Sequence, residues 1–114
     1  MIKNIEIDFS NVKDKDDVIR CFEKAFGFPI AKYPGWDGFN DYFRNFRSDS
    51  LISKLSPFPE EVHLTLKNLG KVAGASKSTY STLCEILVEA TDMDNRADGV
   101  RLTFNVVNEY SKTF

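Results

Sequence analysis

Residues 5–9 read Ile5-Glu6-Ile7-Asp8-Phe9, and the strict alternation of apolar with acidic side chains is the period-2 pattern of a strand with one face turned inward. The same pattern returns twice. Val62, Leu64 and Leu66 alternate with His63, Thr65 and Lys67, and Val100, Leu102, Phe104 and Val106 alternate after the polar, turn-forming segment Asn95 to Gly99. Between the strands the spacing changes to that of helices. The capping-competent acids Asp14, Asp16 and Asp17 lead into Val18, Phe22, Ala25 and Phe26, with Gly27 where a helix commonly ends. Phe28-Pro29 forces an extended connection and Tyr33-Pro34-Gly35 signals a turn. Trp36, Phe39, Phe43 and Phe46 then recur at helical spacing, which predicts a second helix running to about Arg47.

Ser48 to Glu61, with Pro57-Phe58-Pro59, reads as a connection, and the small residues of Gly70 to Ser78 read as a mobile loop. Tyr80, Leu83, Cys84, Leu87 and Ala90 mark a third long helix. Each pair of strands is thus separated by enough helix for a crossover. That order predicts an α/β fold with a three-stranded parallel sheet flanked by helices. A length of 114 residues suits one domain over 1–114, and no repeat or low-complexity tract divides it.

Hydrophobic content of 42% and aromatic content of 13%, mostly from ten Phe, give the chain the means to bury a core. The net charge of −2 argues against a general nucleic-acid binder, which needs cations for several phosphates, so acidic character that matters must be local. Cys21 and Cys84 fall in predicted helices with no metal-ligand or CxxC spacing; they read as free buried thiols and suit a reducing compartment. No stretch approaches the ~20 apolar residues of a membrane span, and the start lacks the apolar core of a signal peptide. We expect a cytoplasmic protein with no membrane partner.

Catalytic constellations are missing from the pattern. His63 is the one histidine, it sits mid-strand, and no Ser or Cys close in sequence makes a nucleophile–base pair with it; a lone strand histidine is commonly structural or solvent-facing. There is no phosphate-cradling glycine loop. One histidine without a second His or Cys nearby does not make a zinc site, and Asp92, Asp94 and Asp98 lack the glycine and terminal glutamate of an EF-hand loop. The reading is no cofactor, no metal and no catalytic residue.

Two acidic stripes remain. Asp37 and Asp41 are four apart and project from one face of the second helix, opposite the Trp36/Phe39/Phe43 stripe. Like charges at that spacing cost an isolated helix a few tenths of a kcal/mol, which hints that they serve a partner. Glu85, Glu89 and Asp92 make an i, i+4, i+7 line on the third helix. From Glu85 to Asp98 there are five acids against one base, Arg96. Such runs ordinarily just face water. Trp36, with Phe following at helical spacing, reads as core, whereas Tyr33 in the preceding loop can present an aromatic edge outward.

The stretch Phe28-Pro29-Ile30-Ala31-Lys32-Tyr33-Pro34-Gly35-Trp36-Asp37-Gly38-Phe39-Asn40-Asp41-Tyr42-Phe43 resembles the signature of the barstar family of ribonuclease inhibitors. In that family a Pro-containing loop with Tyr and Gly leads into a helix with spaced aspartates. The order of elements along nearly the whole chain is similar too, including an acid, Glu89, late in the last long helix. The resemblance implies a barstar-like sheet and an immunity protein whose second helix and neighbouring loop enter the active site of a microbial ribonuclease. Asp41 then matches the principal acidic plug, Asp37 its companion and Glu89 a supporting acid. Tyr33, Gly35, Asn40, Arg44, Glu85 and Asp92 complete the expected partner-binding set. The chain departs from the family where Ala31 and Lys32 replace paired tyrosines, Gly35 replaces Asn and Asn40 replaces an aromatic, while Arg44 and Arg47 follow the acids. These departures bear on the target, and the alternative is a barstar-like binding module that neutralises a toxin other than a ribonuclease or engages another partner.

Overall fold

The computed structural model describes residues 1–46 and 59–107. Arg47 and the Pro57-Phe58 part of the predicted connection lie outside them. Three strands, β1 (Ile2–Asp8), β2 (Glu61–Lys67) and β3 (Arg101–Val107), pair in parallel in the order β1-β2-β3. Among the described residues the connections hold four α-helices: α1 (Lys15–Phe26), α2 (Trp36–Phe43), α3 (Gly70–Ala75) and α4 (Lys77–Ala90). One turn of 3₁₀ helix, Met93–Asn95, precedes β3. The architecture is the α/β fold with a three-stranded parallel sheet that the alternation predicted. No helix among the described residues is long and apolar enough to cross a membrane.

The register aligns Ile5 with Leu64 and Phe104, Ile7 with Leu66 and Val106, and Lys3 with Val62 and Leu102. On that face Ile5, Ile7, Val62, Leu64, Leu66 and Leu102 are buried, while Glu6, His63, Thr65 and Thr103 on the other face are half or fully exposed. Strands added successively in one direction, by crossovers of one hand, put both crossovers on one side of the sheet. The other face is therefore left to polar pairs such as Lys67 with Glu6 and His63 with Glu61 (3.0 Å).

The helix ends follow local chemistry. Asp14 caps α1 by accepting from Asp17 N, and Asp17 in return accepts from Lys13 N, both at 2.9 Å, so two orphan donors are satisfied reciprocally. Gly27 closes the helix at φ 78°, a left-handed conformation that costs glycine little, and donates to Glu23 O at 2.8 Å.

A phenylalanine cluster orients α2. Phe22 of α1 packs against Phe39 (4.7 Å between centroids), Phe43 (5.4 Å) and Phe9 (5.9 Å), and Phe26 packs against Phe28, Phe43 and Phe46. All of these rings are buried. Burying each ring stabilises the fold by on the order of 1.5–3 kcal/mol, and paired rings add to that. Trp36 is partly buried against the same cluster and sits edge-on to Phe39 at 6.0 Å, as expected of a structural residue.

Three expectations need correction. Gly70 to Ser78 is not an open loop: Gly70–Ala75 is helical, and Ser76 then caps α4, accepting from Thr79 N at 3.3 Å. Burial of Val72 and Leu69 secures a segment whose two glycines have poor helix propensity. The last long helix accordingly begins at Lys77 rather than near Tyr80. Second, α2 stops at Phe43 instead of reaching about Arg47, because the Phe46 amide, which a continuing helix would give to the Tyr42 carbonyl, donates to Asp98 Oδ2 at 2.7 Å. Third, Asp98 does not belong to a surface acidic run. It is buried and ion-paired with Arg96.

Candidate protein-binding surface

The loop between α1 and α2 is held from beneath by Glu23. This carboxylate, only 6% exposed, accepts from Ala31 N at 2.9 Å and from Arg20 Nη1 at 2.8 Å. With its base anchored, the loop presents Ile30 (80% exposed) and Tyr33 (82% exposed), and the Lys32 ammonium sits 5.5 Å from the Tyr33 ring. Tyr33 is thus as outward as its loop position suggested. The exposure of Ile30 is not legible in the sequence, because an isolated Ile beside Pro29 carries no periodicity that would place it.

Gly35 is the N-cap of α2 in extended backbone, with no side-chain cap, and a Cβ there would meet nothing within 4 Å. A glycine is not forced at this position by geometry. It leaves the helix N-terminus without a side-chain cap for its first-turn amides.

Asp37 and Asp41 are both exposed. Phe39 and Phe43 turn inward, and residues two positions away are rotated about 200° around the axis, so burial of the rings drives the carboxylates out. On the flank between the two faces, Asn40 and Arg44 are half-buried, and Asn40 Oδ1 and Arg44 Nε are buried atoms with no hydrogen-bond partner among the described residues. A buried donor or acceptor left in that state costs about 1–3 kcal/mol.

On α4, Leu83, Ile86, Leu87 and Ala90 are buried, and Glu85 and Glu89, with Asp92 just beyond the helix end, are exposed as their line predicted. Val88, 63% exposed, lies within this acidic edge and was not singled out from the sequence. Among the described residues the carboxylates of Asp37, Asp41, Glu85 and Glu89 have no hydrogen-bond or ion-pair partner, while Asp92 accepts from Asp94 N at 3.0 Å. Withdrawal of both Asp98 and Arg96 into the interior leaves Glu85, Glu89, Asp92 and Asp94 exposed in that stretch, with no exposed base between them.

The ends of the two acidic helices meet. Arg96 Nη1 donates to Phe43 O, the last carbonyl of α2, and to Ala90 O, the last of α4, each at 3.0 Å, and Ala97 N donates to Arg44 O at 3.2 Å. The junction lies one residue beyond Glu89 and two beyond Asp41. Tyr33, Gly35 and Asp37 lie toward the far end of α2, and Glu85 sits one turn back along α4.

Other chemistry lies elsewhere. A cavity of about 590 Å³ between β1 and α1 is lined by Asp8, Asp17, Arg20, Cys21 and Lys24 among others, and of the residues described above it includes Arg20, the partner of Glu23. The Cys21 thiol there is half-buried rather than buried, and burial, then the Asp17 and Asp8 charges, pushes its pKa up. Cys84, also half-buried, lies one turn from Tyr80 and pushes the phenol's pKa up. Asp98 cannot join Asp92 and Asp94 around a cation while Arg96 holds it, and among the described residues no three ligands are grouped for a metal.

The family model described as Barstar (barnase inhibitor) matches residues 2–106, from the start of β1 to the penultimate residue of β3. No curated protein matches the chain.

Proposed function

The chain belongs to the barstar family of barnase inhibitors, and from that premise we propose that it neutralises a ribonuclease toxin by filling the enzyme's cationic cleft with α2, its preceding loop and the end of α4. The observation that carries this reading is the outward, unpaired Asp37 and Asp41 on a helix whose opposite face is locked by Phe39 and Phe43. A nuclease cleft is lined with cations that meet RNA phosphates, and a rigid row of carboxylates offers those cations the same charge. Rigidity matters because little ordering entropy is then lost on binding. In this reading Asp41 is the principal plug, Asp37 its companion and Glu89 the support from α4. Tyr33 and Ile30 supply apolar contact at the rim, and the chain acts by occlusion rather than catalysis.

Asn40 and Arg44 favour a second reading, in which the partner is a toxin of another kind. Both are half-buried on the flank of the acidic row, and Arg44 sets a guanidinium three residues from Asp41, a cation that a purely cationic cleft would repel. Co-expression with the protein encoded beside this chain tests both. Relief of toxicity, a one-to-one complex and loss of the partner's RNA cleavage support the first reading; relief of toxicity by a partner that does not cleave RNA supports the second.

A further inference from the structure

Arg96 and Asp98 have side chains with no exposed surface, in a segment whose neighbours Asn95 and Ala97 are exposed. The guanidinium uses four of its five N–H donors: Nε to Asp98 Oδ1 (3.1 Å), Nη2 to Asp98 Oδ2 (2.9 Å), and both Nη1 protons to Phe43 O and Ala90 O. Its plane lies over the Phe46 ring at 4.5 Å. Asp98 completes the node by accepting from Phe46 N (2.7 Å) and Val100 N (2.9 Å), which ties it to the chain leaving α2 and to the residue that leads into β3.

Two helix C-termini, each with a negative dipole end and a last carbonyl that accepts from Arg96, are brought together here, and a buried cation between them offsets both. The two carbonyl oxygens share one nitrogen, so they lie no farther apart than two hydrogen bonds laid end to end. We infer that Arg96 is the positioning residue of the acidic surface: its planar fork sets the spacing and relative rotation of α2 and α4, and with them the distance between Asp41 and Glu89. This rests on the reading of those helices as one binding surface. A lysine carries the charge but not the fork, and cannot reach both Asp98 oxygens and both carbonyls at once.

The test needs no partner. Spin labels at Asp37→Cys and Glu85→Cys, both a turn or more from the junction, are placed in the full chain with Cys21→Ala and Cys84→Ala, and the inter-label distance distribution is measured by pulsed electron resonance. Arg96→Lys and Arg96→Ala are compared with the parent in trimethylamine N-oxide, which favours the folded state, and cooperative melting is checked for each. The expected result is one narrow distribution in the parent, displaced or broadened in folded Arg96→Lys. An unchanged distribution in folded Arg96→Lys overturns the inference, and so does a lysine variant that fails to fold even in the osmolyte, which would assign Arg96 to stability alone. Titration of the unlabelled parent with barnase reports separately on the ribonuclease reading, so that reading can fail while the spacing result stands.

Discussion

Asp41 and Asp98 carry the same carboxylate near the same junction, one exposed on α2 and the other with a side chain wholly out of solvent. Asp98 is surrounded by donors: Arg96 twice, Phe46 N and Val100 N. Asp41 has none among the described residues. A carboxylate in the interior is tolerable only when its lone pairs are met, and once met it ties together whatever supplies the donors. A carboxylate on the surface contributes almost nothing to folding and stays free to meet a cation from outside. The same side chain therefore organises the scaffold in one place and is offered by it in the other.

Removing each acid should separate these roles. Asp98→Ala leaves Arg96 buried without its counter-ion and two amides without acceptors, and we expect a loss of about 3–5 kcal/mol of stability in denaturant unfolding. Asp41→Ala should leave stability within about 0.5 kcal/mol and, on the proposed function, weaken the complex with the toxin by at least ~2 kcal/mol, measured by calorimetry. An Asp41→Ala variant with unchanged affinity would remove Asp41 from the interface. A substantial loss of its stability would contradict its exposure.

Glu23 lies between these extremes, buried like Asp98 yet serving the loop that presents Tyr33. Glu23→Ala should cost about 1–3 kcal/mol of stability and speed amide exchange at Ala31, its backbone partner at 2.9 Å.

The smallest effect is expected at Asp8. Its pKa is lowered chiefly by the hydrogen bond from Asn68 Nδ2 (2.8 Å), then by the Ser10 amide. A depressed folded-state pKa means that the unfolded chain binds the proton more readily. The contribution is therefore present above the ordinary carboxylate value and is lost as pH falls through the lowered one. Asn68 has φ 59°, so Asn68→Gly removes the donor without forcing an unsuitable residue into that backbone. The stability curves of parent and Asn68→Gly should differ slightly near neutral pH and converge in acid.

Local pattern carried much of the fold. Ile5/Ile7, Val62/Leu64/Leu66 and Val100/Leu102 announce strands because side chains alternate across a pleat, and Asp14 and Gly27 announce helix ends because each performs a specific backbone task. The helix at Gly70–Ala75 escaped because six residues with two glycines show neither periodicity nor propensity, and its formation depends on burying Val72 against the rest of the core. On the candidate surface, Asp37, Asp41, Glu85 and Glu89 were legible as outward-facing, since helical spacing relative to Phe39, Phe43, Leu83 and Leu87 decides direction. The placements of Ile30, Val88 and Glu23 were not, because exposure of an apolar residue or burial of a charged one is settled by neighbours distant in sequence.

By itself the amino-acid sequence determined the class of fold, the parallel strands, and the faces on which α2 and α4 carry their acids, all of which follow from periods of two and 3.6 residues along the chain. Tertiary structure alone decided that Arg96 and Asp98 leave the surface and clasp the ends of two helices. That outcome depends on donors and acceptors from residues 43, 46, 90 and 100 arriving at one point, and no local period encodes such a meeting.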